Sequence, residues 1–221
     1  VATLKKFNLT GTEVGSLQIE DALLEVSAHS QSMKDYIVAI RNNARQWSAC
    51  TKRRSEVNHT GRKPHPQKGQ GRSRQGDLAA PHYKGGAVVW GPRPKDVHTR
   101  INKKERRAAI RFLLAEKIKD NRVRVLQKEE MSEPKTKAMV EFLEKLALKD
   151  RRILLIGSTS SSQDPSRINL AKSLRNIPKK EYLPLAQVNG YELARSQEIV
   201  LLESAMEELI SLLGPENRKA I

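Results

Sequence analysis

Between Arg41 and Arg111 the chain carries 19 lysines and arginines against 4 acids, Glu56, Asp77, Asp96 and Glu105, a net charge of +15. Guanidinium and ammonium groups at that density suit one chemistry above others: neutralising a polyanion and displacing its counterions. The remaining 150 residues hold 22 basic and 21 acidic side chains, so the excess sits almost wholly in this segment. A solvated surface mixes signs, whereas a one-sign concentration repels itself until a polyanion neutralises it. Nucleic acid is therefore the leading partner. An anionic membrane surface fits less well, because the segment lacks the apolar helical face that interfacial binding requires.

The centre of the segment, "PHPQKGQGRSRQG" at 64–76, offers no side chain for a hydrophobic core apart from its two proline rings. Arg62, Lys63, Lys68, Arg72 and Arg74 can pair with phosphates, and the glycines let backbone approach closely. Trp47, Tyr83 and Trp90 are interleaved with this charge. For the two tryptophans, packing at the base of the segment or on a local "VVW" strand competes with stacking on bases. Other chemistries have little support. His59, His65, His82, His98 and Cys50 follow no metal-ligand spacing, so no metal is expected. No nucleophile stands at a recognisable spacing from a base and its orienting partner, and acids do not cluster, so catalysis is not expected.

These groups must be positioned by elements on either side. "ATLKKFNL" and "EVGSLQIE" read as strands joined by a turn at Thr10-Gly11-Thr12. "SMKDYIVAIRNNARQW" reads as a helix capped by Ser32, with Tyr36, Ile37 and Ile40 on one face. From about Asn42 to Ile101 the periodicity stops, and that region holds seven of the twelve glycines and five of the ten prolines. Regular structure resumes at "INKKERRAAIRFLLAEKIKDN", with Asn102 and Glu105 as a helix-start pair and Ile110, Leu113, Leu114 and Ile118 as an apolar stripe. Strand and helix then alternate: "RVRVLQ", "KTKAMVEFLEKLAL", "RRILLIGS", "DPSRINLAKSLRNI" capped by Asp164 with Pro165 first, "EYLPLAQV", "GYELARS", "EIVLLE" and "SAMEELISLLG". In the last of these, Ser204 and Glu207 form a capping box and Gly214-Pro215 a stop.

Such alternation predicts an α/β fold: a mostly parallel, helix-covered, Rossmann-like sheet with one long extended basic loop. The expected division is a globular domain from residues 1–41 and 102–221, with 42–101 as the loop. A doubly wound sheet raises the question of a nucleotide. "ILLIGSTSSS" runs from strand into a Gly/Ser turn but lacks a phosphate-cradling pattern, and the Gly69–Gly71 "GQG" follows no strand, so no cofactor is expected. If each half of the loop were fully extended it would reach roughly 100 Å, against a globule about 40 Å across. A loop of that reach and composition threads into a partner, and folds on meeting it. The single cysteine and the lack of any apolar run of membrane-spanning length point to a soluble chain of a reducing, cytosol-like compartment; nothing at "VATLKKFNL" reads as a signal segment.

An ordered string of motifs carries a resemblance. "ARQW" at 44–47, "RSEV" at 54–57, "GRKP" at 61–64, "QKGQGRSRQG" at 67–76, "KGGAVVWGPRP" at 84–94 and "INKKERRAAI" at 101–110 together resemble large-subunit ribosomal protein four, the universal L-four family, in its bacterial or organellar form. The resemblance implies a non-enzymatic structural constituent of the large ribosomal subunit, without cofactor, that binds rRNA early in assembly. Its extended loop would contact several rRNA regions and help line the constriction of the polypeptide exit tunnel. Partners would be large-subunit rRNA, neighbouring ribosomal proteins including the other tunnel-constriction protein, and the nascent polypeptide, with no membrane involved. Arg45, Arg53, Arg54, Arg62, Lys63 and Lys68 would hold RNA, as would Arg72, Arg74, Lys84 and Arg93. Lys103, Lys104 and Arg107 would join them from the helix after the loop. Gln67, Lys68, Gly69, Gln70, Gly71 and Arg72 would form the tunnel tip. His65-Pro66 and Gln70 depart from the family pattern at that tip. An RNA-modifying enzyme with a basic extension and a free-standing nucleic-acid-binding regulator are the other classes the sequence admits.

Overall fold

The computed structural model describes residues 2–127, 133–159 and 165–214. Within them the chain folds as two units: one from the sequence on either side of residues 42–99, and one from Asn42–Thr99.

The first unit is built on a six-stranded sheet in the order β2-β1-β3-β6-β4-β5. β1 (Ala2–Phe7) and β2 (Glu13–Ile19) form an antiparallel hairpin, and every other neighbouring pair, β1 with β3 (Val123–Leu126), β3 with β6 (Glu198–Leu202), β6 with β4 (Ile153–Gly157) and β4 with β5 (Lys180–Pro184), is parallel. The predicted α/β class holds. The hairpin turn closes where Gly11 takes a φ of 79°, with its N–H donated to the Asn8 carbonyl.

β4 and β6 are buried along their whole length because helices cover both faces, as parallel strands require. Period-two alternation distributes their side chains. Leu154, Ile156, Ile199 and Leu201 join one core with Leu4, Leu24, Tyr36, Leu114, Ile118, Leu193 and Leu209, which brings α1 (Asp21–Leu24), α2 (Ser30–Asn43), α3 (Lys103–Lys119), α6 (Gly190–Arg195) and α7 (Met206–Leu213) onto that face. Ile153, Leu155, Val200 and Leu202 join the other core with Met139, Phe142, Leu170 and Leu174, from α4 (Thr136–Lys145) and α5 (Pro165–Arg175). Both clusters draw only on the first unit. Among the described residues no helix is long and apolar enough to cross a membrane.

Several helix starts differ from the sequence reading. α2 begins at Ser30, two residues before Ser32, and there the His29 Nδ1 accepts the Gln31 N–H at 3.2 Å. Asn102 does stand at the N-cap of α3, with no capping bond from its side chain, while its carbonyl accepts the Arg106 N–H. Glu203–Ala205 forms a 3₁₀ turn, so α7 starts at Met206 and Ser204 is not its cap; the Ser204 hydroxyl instead accepts from Arg167 at 3.0 Å. Gly214 follows α7 as expected, whereas the Asp164 cap and Pro215 lie outside the described residues.

Candidate nucleic-acid interface

After α2 ends at Asn43, residues 44–99 contain neither helix nor strand. Backbone polar groups without a ladder need other partners, and here the outgoing limb finds them on the returning one. Asn43 exchanges two hydrogen bonds with Thr99, at 3.0 and 2.8 Å. The Lys95 N–H reaches the Trp47 carbonyl, the Thr51 N–H reaches the Pro92 carbonyl, and the Val88 N–H reaches the Lys52 carbonyl. Nearer the tip, a ring nitrogen of His65 pairs with the Ser73 carbonyl at 2.8 Å and ties the two sides of the turn.

Two carboxylates reinforce the pairing. Glu56 takes both terminal nitrogens of Arg93, at 2.7 and 2.8 Å, and also accepts the Arg53 N–H. Asp77 accepts the Ala79 N–H and Arg54 Nε. The Arg93 hydrogen bonds hold the Glu56 carboxyl below its usual range, and the Ala79 amide does the same for Asp77. Glu56 thus charges more readily folded than unfolded. The Glu56–Arg93 clip is complete above the ordinary carboxylate pKa of about 4.3 and is lost as pH falls through the lowered value. In an NMR titration the Arg53 amide, bonded to Glu56, should move with an inflection below that ordinary value. An inflection at or above it would mean that the clip contributes nothing.

The unit holds twelve lysines and arginines and three acids. Eleven of the twelve cations are exposed, Arg93 being the half-buried one. Ten of the thirteen predicted RNA-contacting residues lie in this unit, and Lys103, Lys104 and Arg107 lie in the opening turns of α3. Arg53, Arg62, Lys63, Lys68, Arg72, Arg74 and Lys84 present charge to solvent, while Arg54 and Arg93 are held by Asp77 and Glu56. Residues 66–74, which include the whole predicted tip, surround a shallow concavity of about 380 Å³. Lys63 donates to Gln67 at its edge.

Glycine serves two different needs here. Gly69 and Gly71 have φ of 89° and 59° with open space where a Cβ would stand, so the turn needs their left-handed backbone. Gly86 and Gly91 serve close approach: a Cβ would lie 2.0 Å from the Ala80 carbonyl oxygen and 1.9 Å from Thr51 Oγ1, respectively.

The two tryptophans separate. Trp47 is half-buried, with Arg45 and Lys95 at 4.5 and 5.2 Å from its ring and its N–H donated to the Asn42 carbonyl. Trp90 is 99% exposed, and no strand forms at "VVW", the reading that competed with stacking.

At the end of β4 the described start of the Gly/Ser turn is bonded to the chain itself. Ser158 Oγ donates to Glu208 at 2.5 Å, and the Thr159 N–H donates to both oxygens of the same carboxylate. Among the described residues, the Ser158 hydroxyl and the Thr159 N–H, donors that such a turn would offer a phosphate, are therefore bonded to the chain's own anion. Arg167 is likewise engaged, by the Ser158 carbonyl and Ser204. Gly157 leaves room for Tyr182, since a Cβ there would lie 2.3 Å from Tyr182 Oη and push the ring aside. Among the described residues no group of three or more His, Cys, Asp or Glu is placed to hold a metal.

A basic two-limbed segment set into an α/β unit matches a known family over almost its full length. The model of the ribosomal protein L4/L1 family covers residues 17–212. The chain belongs to the ribosomal protein L4/L1 family. Curated relatives named "Large ribosomal subunit protein uL4" include one from Spiroplasma kunkelii, 33% identical over 207 residues, which cover 93% of this chain and 97% of the relative. Another, from Brevibacillus brevis, is 34% identical over 94% of this chain and 97% of its own length. A third, from Lachnospira eligens, is 33% identical over 95% and 98%. Membership of the L4/L1 family gives the protein a structural role in the ribosome, not an enzymatic one.

Proposed function

We propose that the chain is a primary rRNA-binding protein of the large ribosomal subunit, acting early in assembly, with the segment 42–99 inserted among several rRNA regions. The observation that carries this reading is the exposure of eleven cations on a segment whose limbs are already paired. Pairing lowers the ordering cost of binding, and the exposed cations release counterions when phosphates replace them. Arg45, Arg53, Arg62, Lys63, Lys68, Arg72, Arg74 and Lys84 meet phosphates or stack on bases, as do Lys103, Lys104 and Arg107 at the start of α3. Arg54 and Arg93 shape the segment through their carboxylates and meet RNA through their remaining N–H groups. Gln67 to Arg72, the tip, contribute to the wall of the polypeptide exit tunnel, beside another ribosomal protein and facing the nascent chain. The protein works in the cytoplasm or in an organelle of bacterial descent, wherever its ribosomes are.

Sedimentation of a cell extract tests the reading. The chain should travel with large ribosomal particles, and its recovery only from light fractions would sink the assignment.

A further inference from the structure

Trp90 has no part in the phosphate contacts just described. An indole standing 99% exposed, beside Val88 and Val89 at 48% and 58%, gains nothing from folding. Its backbone has φ of 60°, a region that bulky residues avoid. Backbone on both sides holds it there. Before it, the Val88 N–H bonds the Lys52 carbonyl at 3.1 Å; after it, the Pro92 carbonyl takes both the Thr51 N–H at 3.1 Å and the Thr51 hydroxyl at 3.3 Å. Gly91 between them sits so close to Thr51 that no side chain fits.

We propose, resting on the rRNA-binding reading above, that Trp90 is a wedge that stacks on an unpaired RNA base. Charge chooses this occupant over a pocket on another protein. The unit around Trp90 has twelve cations and three acids, two of which are spent on Arg93 and Arg54. A protein pocket would need an acidic rim to sit against that surface, whereas RNA brings its own phosphates. Stacking also needs only a π-face, which every unpaired base supplies and a paired, stacked base does not. Trp47 cannot share the role, since cations stand over its ring and its N–H is bonded.

The chain has only two tryptophans, so Trp47→Phe leaves Trp90 as the sole indole of the full-length protein. That variant is titrated with transcribed large-subunit rRNA, with RNA anisotropy reporting binding and indole emission reporting stacking. Emission should be quenched with the same midpoint as the anisotropy, and a blunt RNA duplex should not quench it. Trp90→Ala should weaken binding by roughly 5- to 150-fold, the equivalent of about 1–3 kcal/mol per stacked base. Trp90→Phe should recover most of this and Trp90→Leu little. Full binding with unchanged emission would overturn the wedge and leave the rRNA reading intact. A blue shift without quenching, seen only when other ribosomal proteins are added, would overturn it in favour of a protein pocket. Failure of the rRNA to bind at all would overturn both.

Discussion

Raising monovalent salt from about 50 to about 200 mM should weaken the protein's hold on RNA by roughly 10³- to 10⁵-fold, the loss expected when 6–10 phosphates are neutralised. That number of contacts is within reach of the segment 42–99. Of its twelve cations, Arg54 and Arg93 are bonded to Asp77 and Glu56, which leaves ten without a carboxylate partner there. Surface cations of this kind act mainly through counterion release, so the effect should appear as a straight line of log affinity against log salt. Replacing Lys63, Lys68, Arg72 and Arg74 together by glutamine should make that line shallower by about three to four. Anisotropy across a salt series provides the measurement. A slope near zero for the unaltered protein would remove the electrostatic basis of the functional reading.

Deleting residues 61–76 and closing the gap with a short Gly-Ser linker should leave the first unit folded while large-subunit assembly falters. Both hydrophobic cores are built outside the segment, and the deleted residues contribute no side chain to either. The lost interactions are those of the turn itself, among them His65 with Ser73 and Lys63 with Gln67. The thermal unfolding midpoint and near-ultraviolet circular dichroism should therefore match the parent. In cells that depend on the variant, precursor particles should accumulate at the expense of mature large subunits. Unfolding of the variant would refute the independence of the cores from the segment, and normal particle yield would refute the segment's role in assembly.

How much of this could be read from the sequence depended on the range of the interaction. The sheet was legible because the apolar runs in "RILLIG" and "EIVLLE" are local signals, two-sided burial making parallel strands continuously apolar. Helix caps were less so. Ser32 and Ser204 have the right side chain for a cap, but the chain enters α2 at His29 and reaches α7 through a 3₁₀ turn, choices made by packing elsewhere. The basic segment was legible as composition, whereas its internal order was not. Glu56 and Arg93 lie 37 positions apart in a stretch without periodicity, so nothing local announces that they meet. The tryptophans illustrate the same limit. Trp47 and Trp90 look equivalent among glycines and cations, and only the pairing of the two limbs, which brings Lys95 to one and sets Thr51 and Lys52 on the backbone beside the other, separates their roles.

Glu208 carries one further consequence. In an α/β sheet that borrows a small molecule to satisfy the turn after a central strand, the folded population rises and falls with the supply of that molecule. Here a carboxylate from α7 is covalently part of the same chain and is always present at the Ser158–Thr159 turn. The described part of that turn is thereby satisfied by the chain itself, so its hydrogen bonds do not wait on the supply of a small molecule.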